Sequence, residues 1–482
     1  MARGPRRGGV HGRGDPRRRR TLGVTALPEG LQIALDPRTS WTGRDALVGG
    51  SPRQVLRLSA AGRRAVEGLE RGDEAPVQMR ALGRRLLDLG LAHPRPRPGA
   101  AQMSVCIVIP AHNRAADLER CLAALEPGQP VIVVDDGSQD RAAVAAAAGR
   151  HGAQLIRRES AGGPAAARNA ALAHANAEIV AFLDSDCIAT PGWLAPLLAH
   201  FADPLVAAVA PRIRPHPAAS ALGRYLAVRC PLDMGAQEGY VDPAGPVRYV
   251  PSAALLVRRS ALGDGFDEAL RYGEDVDLVW RLREAGGRVR YEPSVIVEHA
   301  EPLRLRDALR RRALYGSSAG ALSLRHPGAL PPLVLNRWPA AILALLIARQ
   351  PLGAAALAAA RSTLLARRLR PLGLSGDTAA RWTAEATSQT ALATLHYGNG
   401  VGAPLVAAAL IFTRRRRWLA LLLVPALLDR RARRPDLGSA TWTALFLADE
   451  GAYAAGVWRG CLRTRSARPL IPAIRIRRRA TA

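Results

Sequence analysis

The chain has 482 residues, 48% of them apolar, which is long enough for more than one domain and a sizeable core. Its formal net charge is +28, yet every basic residue is arginine, which we interpret mainly as coding bias with some contribution from contacts with anions or anionic lipid. Five scattered cysteines without a CxxC pair argue against a disulfide framework or a cysteine zinc site and indicate a reducing cytoplasm. No apolar signal segment follows the basic N-terminus.

The N-terminal part predicts a tail, a small domain and a linker. Residues 1–20 contain little besides Arg, Gly and Pro, which predicts a disordered tail. Residues 21–94 predict a recognition-type region, either α/β or winged-helix-like, with a helix capped by Ser59. We expect this region to dock a peptide or the catalytic domain. The Pro-rich segment 95–103 predicts a linker.

Residues 104–302 alternate between short apolar runs and helix-length segments. A buried strand at Val105–Pro110 is followed by a helix around Asp117–Leu125, a strand at Val131–Val134 and a helix near Arg141–Arg150. This alternation is typical of a mainly parallel sheet covered by helices. The predicted fold class is therefore α/β, with a Rossmann-like sheet.

Two carboxylates, Asp184 and Asp186, follow the buried apolar run Ile179–Leu183. Extended backbone sends residues i and i+2 to the same side, so both side chains can converge on one cation. Oxygen ligands suit Mg²⁺ or Mn²⁺, which would also hold the diphosphate of a departing nucleotide. A solvated turn is the alternative, but the buried strand that precedes the pair favours a metal site.

A second pair of strand-end carboxylates, Asp135 and Asp136, precedes a Gly-Ser turn. A carboxylate here can accept a hydrogen bond from a base or a ribose hydroxyl, although this segment is also ordinary turn chemistry. Further along, two glycines ending at Gly163 precede a helix that contains Arg168. Such a start offers free N–H groups to an anion, and an ordinary loop-to-helix start is the alternative.

Three carboxylates, Glu274, Asp275 and Asp277, lie in the first turn of a predicted helix. The helix dipole favours acidic residues there, but it does not explain three that repel each other. A general base beside an acceptor hydroxyl would explain them. His299, at the end of a predicted strand, could join the metal or the phosphates, although a lone histidine is more often structural.

Residues 303–482 predict an apolar α-helical region. Its apolar runs, Trp338–Ala348, Val401–Thr413 and Trp418–Leu428, are shorter than the ~20 residues that cross a bilayer. We expect interfacial helices on an anionic leaflet, at the inner face of the cell membrane. A helical domain that does not touch lipid, and a tilted span within 332–360, are the alternatives.

In chain order, the segments IVIPAHNR, VVDDGS, GGPAAARN, FLDSDC and GEDVDLVWRL resemble the family-2 inverting glycosyltransferases of GT-A fold, across residues 104–302. The wider pattern, which includes YVPSAALLVRR and YGSSAGALSLRHPGALPP, is similar to the mycofactocin-system members of that family. The resemblance implies a UDP-sugar donor, UDP-glucose in the first place, and a divalent metal. It also implies a peptide-derived redox cofactor precursor as the acceptor, with β-linked glucose as the product.

The same resemblance implies a role for individual residues. The nucleoside pocket would be lined by Pro110, Asn113, Asp135 and Asp136; the metal would be held by Asp184 and Asp186; the catalytic base would be Asp275, with Glu274 beside it. The QxxRW motif of processive members is missing, and RALYG, at 312–316, occupies that stretch. Processive addition of several sugars is therefore not implied.

Three other functions stay open at this point. The apolar C-terminal runs would favour transfer to a polyprenyl phosphate or another cell-envelope acceptor. A nucleic-acid or peptide-binding protein with an inactive transferase-like scaffold would use the arginines, but side chains that read bases are scarce, so no nucleic-acid partner is expected. A nucleotidyltransferase would require a lysine in a phosphate loop, and the chain has no lysine.

Overall fold

The computed structural model describes residues 26–71, 79–97, 99, 101–413 and 416–475. The predicted tail, 1–20, and residues 98 and 100 of the predicted linker lie outside the described residues. The described chain forms an N-terminal module, a central α/β domain and a C-terminal set of helices.

The N-terminal module, residues 26–97, is an α/β unit. Its elements are β1 (Gln32–Leu35), β2 (Ser40–Thr42), β3 (Ala46–Gly49), β4 (Gln54–Arg57), α1 (Ala60–Glu70), α2 (Arg80–Asp88) and β5 (Ala92–Arg95). β2, β3 and β4 form an antiparallel sheet, and β1 pairs with β5. The Ser59 hydroxyl accepts from the Gly62 N–H at 3.1 Å and so caps α1. Arg95, placed at the start of the predicted linker, is the last residue of β5.

Buried polar contacts join this module to the α/β domain. The Arg84 guanidinium donates to both carboxylate oxygens of Asp203, at 2.6 and 3.0 Å, and both side chains are buried. His93 contacts Asp36 through Nε2 at 2.7 Å and the Arg290 guanidinium through Nδ1 at 3.3 Å. Separating the module from the α/β domain would leave these charged side chains exposed to solvent or buried without a partner. We infer that the module is a fixed part of the fold.

The α/β domain is built on one nine-stranded sheet. Its elements are β6 (Val105–Ala111), α3 (Ala115–Ala123), β7 (Val131–Asp136), α4 (Arg141–Arg150), β8 (Gln154–Arg158), α5 (Pro164–Leu172), β9 (Ile179–Leu183), β10 (Cys187–Ala189), α6 (Leu194–Ala199), β11 (Val206–Pro215), α7 (Ala221–Arg229), β12 (Gly239–Tyr240), β13 (Ala254–Arg258), α8 (Glu274–Glu284) and β14 (Arg288–His299). The strand order is β10-β14-β11-β13-β9-β6-β7-β8, and β12 pairs with β14.

The sheet is mixed, and this refines the expectation of a mainly parallel one. β8, β7, β6 and β9 are parallel, as the alternation of strands and helices predicts. β13 lies antiparallel between β9 and β11, while β10 and β12 are antiparallel to β14. β13 is antiparallel to both of its neighbours, which the alternation of strands and helices does not predict, because antiparallel neighbours need no crossover helix.

Side chains of β6 alternate between the two cores of the sheet. Ile107 and Ile109 pack in one cluster, while Cys106 and Val108 pack in the other. This alternation follows from extended backbone and requires apolar residues at every position. The carboxyl ends of β6, β7 and β9 therefore meet at one edge, where polar residues begin.

The C-terminal region is helical, as predicted. Its elements are α9 (Leu305–Ser317), α10 (Ala319–Arg325), β15 (Val334–Asn336), α11 (Arg337–Ile347), α12 (Pro351–Leu369), α13 (Gly376–Asn399), α14 (Ala403–Phe412), α15 (Val424–Arg433), α16 (Ser439–Thr464) and β16 (Ala473–Arg475). Within the described residues, no single helix has the length and apolar character to cross a membrane; α13 and α14 meet that test only as a pair bent by 89°. In the region 332–360, where a tilted span was the alternative, α11 and α12 are two separate helices.

Glycines let α16 approach α9 closely. A Cβ added to Gly456 would lie 2.0 Å from the Ala313 carbonyl oxygen, and one added to Gly316 would lie 2.2 Å from the Tyr453 carbonyl oxygen. Only glycine permits this backbone contact. Because a Cβ on Gly273 would also touch Ser318 at 2.9 Å, this helix pair supports the start of α8.

Candidate active site

The loop after β6 is held against the loop after β7. Asn113 adopts a φ of 54°, a left-handed conformation that asparagine tolerates. Its backbone N–H donates to the Ser138 hydroxyl at 2.9 Å, and its side-chain oxygen accepts from the Gln139 N–H at 2.7 Å. His112 contacts the Asp136 carbonyl at 2.8 Å. Pro110, the next-to-last residue of β6, thus lies beside a rigid double loop.

Asp135 is buried and its carboxylate is already paired. It accepts from the Ser138 N–H at 2.9 Å and forms an ion pair with Arg157 of β8. Parallel pairing of β7 with β8 places these two residues opposite each other. Asp135 therefore fixes the turn that carries its neighbours.

The carboxylate of Asp136, the last residue of β7, lies at the start of α5. Its carboxylate accepts from the N–H groups of Gly162 and Gly163, at 3.0 and 2.7 Å, and from Arg158 at 2.5 Å. The expectation that these amides are free for an anion is wrong, because the anion they bind is Asp136 itself. The residues are nevertheless brought together, as a binding site would require.

Arg168 bridges two acidic elements of the site. Its guanidinium donates to Asp184 at 2.6 Å and to Glu274 at 2.9 Å, and it packs over the Phe266 ring at 5.2 Å. The side chain is only 3% exposed. Arg168 was predicted to bind a nucleotide anion; in this structure it instead joins the end of β9 to the start of α8.

Asp186 lies next to His299. The His299 Nε2 is 3.5 Å from the Asp186 carboxylate, and its Nδ1 is 3.1 Å from Glu301. Antiparallel pairing of β10 with β14 brings these segments together. Burial lowers the pKa of His299, which favours the neutral imidazole that binds metals. Asp186 also accepts from the half-exposed Arg114 at 2.6 Å.

These residues fit a divalent cation that also takes ligands from the substrate. Within the described part of the chain, no group of three acidic, histidine or cysteine side chains is arranged as a complete metal site. Asp186 and His299 are close enough to share one ion, and Asp184, 29% exposed, keeps one oxygen that Arg168 does not contact. Two carboxylates and an imidazole suit Mn²⁺ or Mg²⁺.

The acidic residues at the start of α8 lie in different environments. Asp277 is buried between Arg281, at 2.7 Å, and His326, at 3.0 Å, and these hydrogen bonds outweigh burial and lower its pKa. It anchors α10 to α8. The Asp275 carboxylate instead accepts from backbone N–H groups, those of Ser252 at 3.2 Å and Val276 at 2.8 Å. Burial raises the pKa of Asp275.

Glu274 has an unusually high proton affinity. Burial, reinforced by repulsion from Asp275, raises its pKa from 4.5 to about 7, against the opposing effect of Arg168. A carboxyl group whose pKa is raised in the folded state binds its proton more tightly there than in the unfolded chain. The free energy of unfolding therefore falls as pH rises from about 4.5 to about 7.

We expect Glu274→Gln to remove most of this pH dependence. Urea unfolding at pH 5 and at pH 7.5 measures it: the wild type should lose more stability between the two values than the variant does. Glu159→Gln, which changes an exposed carboxylate, should follow the wild type. An equal loss of stability between the two pH values for the wild type and for Glu274→Gln would contradict the raised pKa of Glu274.

Two tyrosines near Asp275 were not singled out from the sequence. Tyr249 precedes β13 and Tyr315 belongs to α9; burial raises the pKa of both, that of Tyr249 to about 12, with the Asp275 charge contributing. The segments YVPSAALLVRR and YGSSAG that carry them were noted only for their resemblance. Both tyrosines are therefore close enough to the start of α8 to be affected by the Asp275 charge.

Strand-end carboxylates at the edge of an open α/β sheet, facing an acidic helix start, define a GT-A-type glycosyltransferase. The model of the family described as "Glycosyl transferase family 2" matches residues 106–266. The chain is 39% identical over 477 residues to the "Pre-mycofactocin glycosyltransferase" of Mycobacterium tuberculosis, with 94% of this chain and 99% of that protein covered. The protein belongs to glycosyl transferase family 2, and it is an enzyme that transfers sugars.

Other similarities are more partial. The "Succinoglycan biosynthesis protein ExoU" of Rhizobium meliloti is 36% identical over 203 residues, which cover 39% of this chain and 59% of that protein. Among solved structures, a mannosyltransferase from Pyrobaculum calidifontis in complex with GDP-Man and Mn²⁺ is 22% identical, with a TM-score of 0.40, and covers 73% of this chain and 88% of that one. Family membership confirms the predicted transferase and removes the nucleotidyltransferase and the inactive scaffold as alternatives.

Proposed function

We propose that this enzyme transfers glucose from UDP-glucose to a hydroxyl of pre-mycofactocin, a peptide-derived redox cofactor precursor, with inversion of the anomeric centre. The observation that carries this proposal is the convergence of Asp184, Asp186 and the start of α8 at one edge of the sheet, through Arg168. The acceptor is suggested by the name of the relative that matches over nearly the whole chain.

The nucleoside would bind between the loops after β6 and β7. Pro110 and Asn113 would border the base, and Asp136 would exchange its contact with Arg158 for a ribose or base hydrogen bond. Arg158 is partly exposed, so its side chain can rotate toward a phosphate. Gly163 and Arg168 would act by fixing Asp136 and Asp184 rather than by touching the nucleotide.

A divalent cation, Mn²⁺ or Mg²⁺, would be held by Asp186 and His299 with one oxygen of Asp184. When bound, it supplies positive charge to the diphosphate that leaves with uridine. Arg114, which pairs with Asp186 in this structure, would move aside. The Asp184–Arg168 contact would keep that carboxylate oriented.

Asp275 would act as the general base. Its carboxylate takes the proton of the acceptor hydroxyl, the acceptor oxygen forms a bond to the anomeric carbon, and the bond from that carbon to the diphosphate oxygen breaks, releasing UDP. Attack opposite the diphosphate converts an α-linked donor into a β-linked product. Glu274, with its raised pKa, would limit the negative charge beside Asp275.

Measuring the release of the nucleoside diphosphate, UDP or GDP, across several nucleotide sugars, with Mn²⁺, with Mg²⁺ or with a chelator, tests the donor and the metal. We expect UDP-glucose to be used best and the chelator to abolish release. Asp186→Asn should weaken metal activation by at least ~10-fold, whereas Asp117→Asn, at a carboxylate on α3, should not. Preference for a GDP-sugar, or full activity with the chelator, would contradict the proposal.

Transfer to a polyprenyl phosphate is the second candidate, favoured by the exposed apolar side chains of the C-terminal helices. Following the labelled sugar into water or into a lipid extract separates the two acceptors. Label in the water phase with a peptide-derived product supports pre-mycofactocin, and label in the lipid phase supports the polyprenyl acceptor.

A further inference from the structure

The C-terminal helices expose large apolar side chains in one part of the chain. In the described residues, most such side chains lie between 346 and 428: Leu346, Ile347, Leu352, Leu364, Leu405, Ile411, Phe412, Leu421, Leu423, Leu427 and Leu428. Ile347, Leu352 and Phe412 are 67%, 85% and 86% exposed. Ile347 and Leu352 border the turn between α11 and α12, and Phe412 ends α14. Apolar exposure on this scale marks an interaction surface.

These helices belong to one bundle. α13 contacts α11, α12, α14 and α15, so it forms the centre of what we call the α13 bundle, residues 337–433. Each outer helix hides one side against α13 and leaves another side open. On α12 the open side runs from Leu352 through Ala356 and Thr363 to Arg367 and Arg368, an apolar face with a basic end.

The charge of the α13 bundle has one sign over long stretches. No Asp or Glu occurs between Asp307 and Asp377, or between Glu385 and Asp429, while arginine is frequent in both stretches. Arg349, at the α11–α12 turn, is exposed next to Ile347. Basic side chains beside exposed apolar ones complement a surface that has anionic groups above a hydrocarbon layer.

An open groove of about 740 Å³ lies at the end of α15. Arg430, Arg431 and Arg434 line it together with Leu428. The Arg430 guanidinium donates to the Leu437 carbonyl at 2.9 Å, which holds the groove in shape. A groove lined by both apolar and guanidinium side chains suits a phospholipid, which carries its phosphate next to its acyl chains.

We propose that the α13 bundle docks on the surface of a bilayer that contains anionic phospholipids. Ile347, Leu352 and Phe412 enter the boundary between headgroups and acyl chains, and the neighbouring arginines contact the phosphates. The short helices and the 89° bend between α13 and α14 suit a structure that lies in the interface. This inference does not depend on the donor or the acceptor, because it concerns helices outside the catalytic cleft.

Vesicle sedimentation of the full-length protein tests it. Vesicles of phosphatidylcholine alone are compared with vesicles of phosphatidylcholine and phosphatidylglycerol in equal parts, at low and at high salt. We expect binding to the anionic vesicles only, and its loss at high salt, because salt screens exposed charges. Arg367→Glu with Arg368→Glu should lower the partition coefficient roughly 25-fold or more, since each arginine near such a surface contributes about fivefold.

A second pair of variants tests the apolar contribution. Ile347→Asp with Phe412→Asp should also abolish binding, whereas Arg64→Glu with Arg85→Glu, on exposed positions of α1 and α2, should leave it unchanged. Urea midpoints and UDP release equal to those of the wild type show that the variants fold. Equal binding to neutral vesicles, no binding to either kind, or a self-association that these substitutions disrupt instead would overturn the proposal.

Discussion

Asp275→Asn is expected to keep UDP-sugar binding and to lose transfer by ~10²-fold or more, the usual contribution of a general base. The asparagine has the shape of aspartate, and its single side-chain oxygen can still accept from one of the two N–H groups that the aspartate binds, those of Ser252 and Val276, so the start of α8 should keep most of its anchoring. What it cannot do is take a proton. Steady-state UDP release, together with calorimetric titration of UDP, separates the two effects.

Asp277→Asn provides the matched comparison, since this carboxylate lies two residues away on the same helix and pairs with Arg281 and His326 rather than facing the cleft. We expect that variant to lose stability and to keep most of its turnover per folded molecule. If Asp275→Asn weakened UDP binding as strongly as it lowered turnover, the general-base role would have to be abandoned.

Arg168→Gln is expected to destabilise the fold by about 3–5 kcal/mol, the usual cost of removing one partner from a buried ion pair. The Arg168 side chain is 3% exposed and forms ion pairs with both Asp184 and Glu274. Its removal would leave carboxylates in a poorly solvated cleft with no positive charge between them. Urea unfolding at neutral pH measures the loss.

The loss of stability caused by Arg168→Gln should be smaller at pH 5, because Glu274, whose pKa is raised, then carries its proton. The double variant Arg168→Gln with Glu274→Gln should recover part of the stability at neutral pH for the same reason. Arg120→Gln breaks an exposed pair with Asp117 and should stay within ~0.5 kcal/mol of the wild type. Equal losses for Arg168→Gln and Arg120→Gln would show that the bridge contributes little.

The strands whose carboxyl ends form the candidate site could be predicted from the sequence. The runs 131–134 and Ile179–Leu183 are apolar at every position, because both faces of a covered sheet are buried, and the sudden change to acidic residues marks where each strand ends. β13 was harder to place. Its antiparallel pairing with β9 and β11 joins segments that are far apart in the chain, and no local periodicity marks such a pairing.

The partners of the charged residues could not be read from the sequence. Arg168 and Gly163 looked like ligands for an external anion because a helix start with arginine nearby usually offers one. In the structure Asp136 and Asp184 are the anions they contact. Which carboxylate reaches which guanidinium is decided by packing between segments more than 100 residues apart, as for Arg168 and Glu274.

The contacts between the C-terminal helices could not be predicted from the sequence either. Their apolar runs predicted helices and left a tilted span within 332–360 open, and in the described residues no single helix is long and apolar enough to cross a membrane. The contact between α16 and α9 rests on Gly316 and Gly456, which no helical periodicity would mark as important. Only the pairing of the two helices reveals why a side chain cannot be accommodated there.

The most direct measurement is an anomalous diffraction map of crystals soaked with UDP and Mn²⁺. We predict strong density for one manganese between Asp186 and His299. This manganese should contact the diphosphate of a nucleotide that lies along the loop after β7, beside Asp136. Manganese bound elsewhere, or a nucleotide far from Asp275, would mean that these acidic groups do not share a reaction centre.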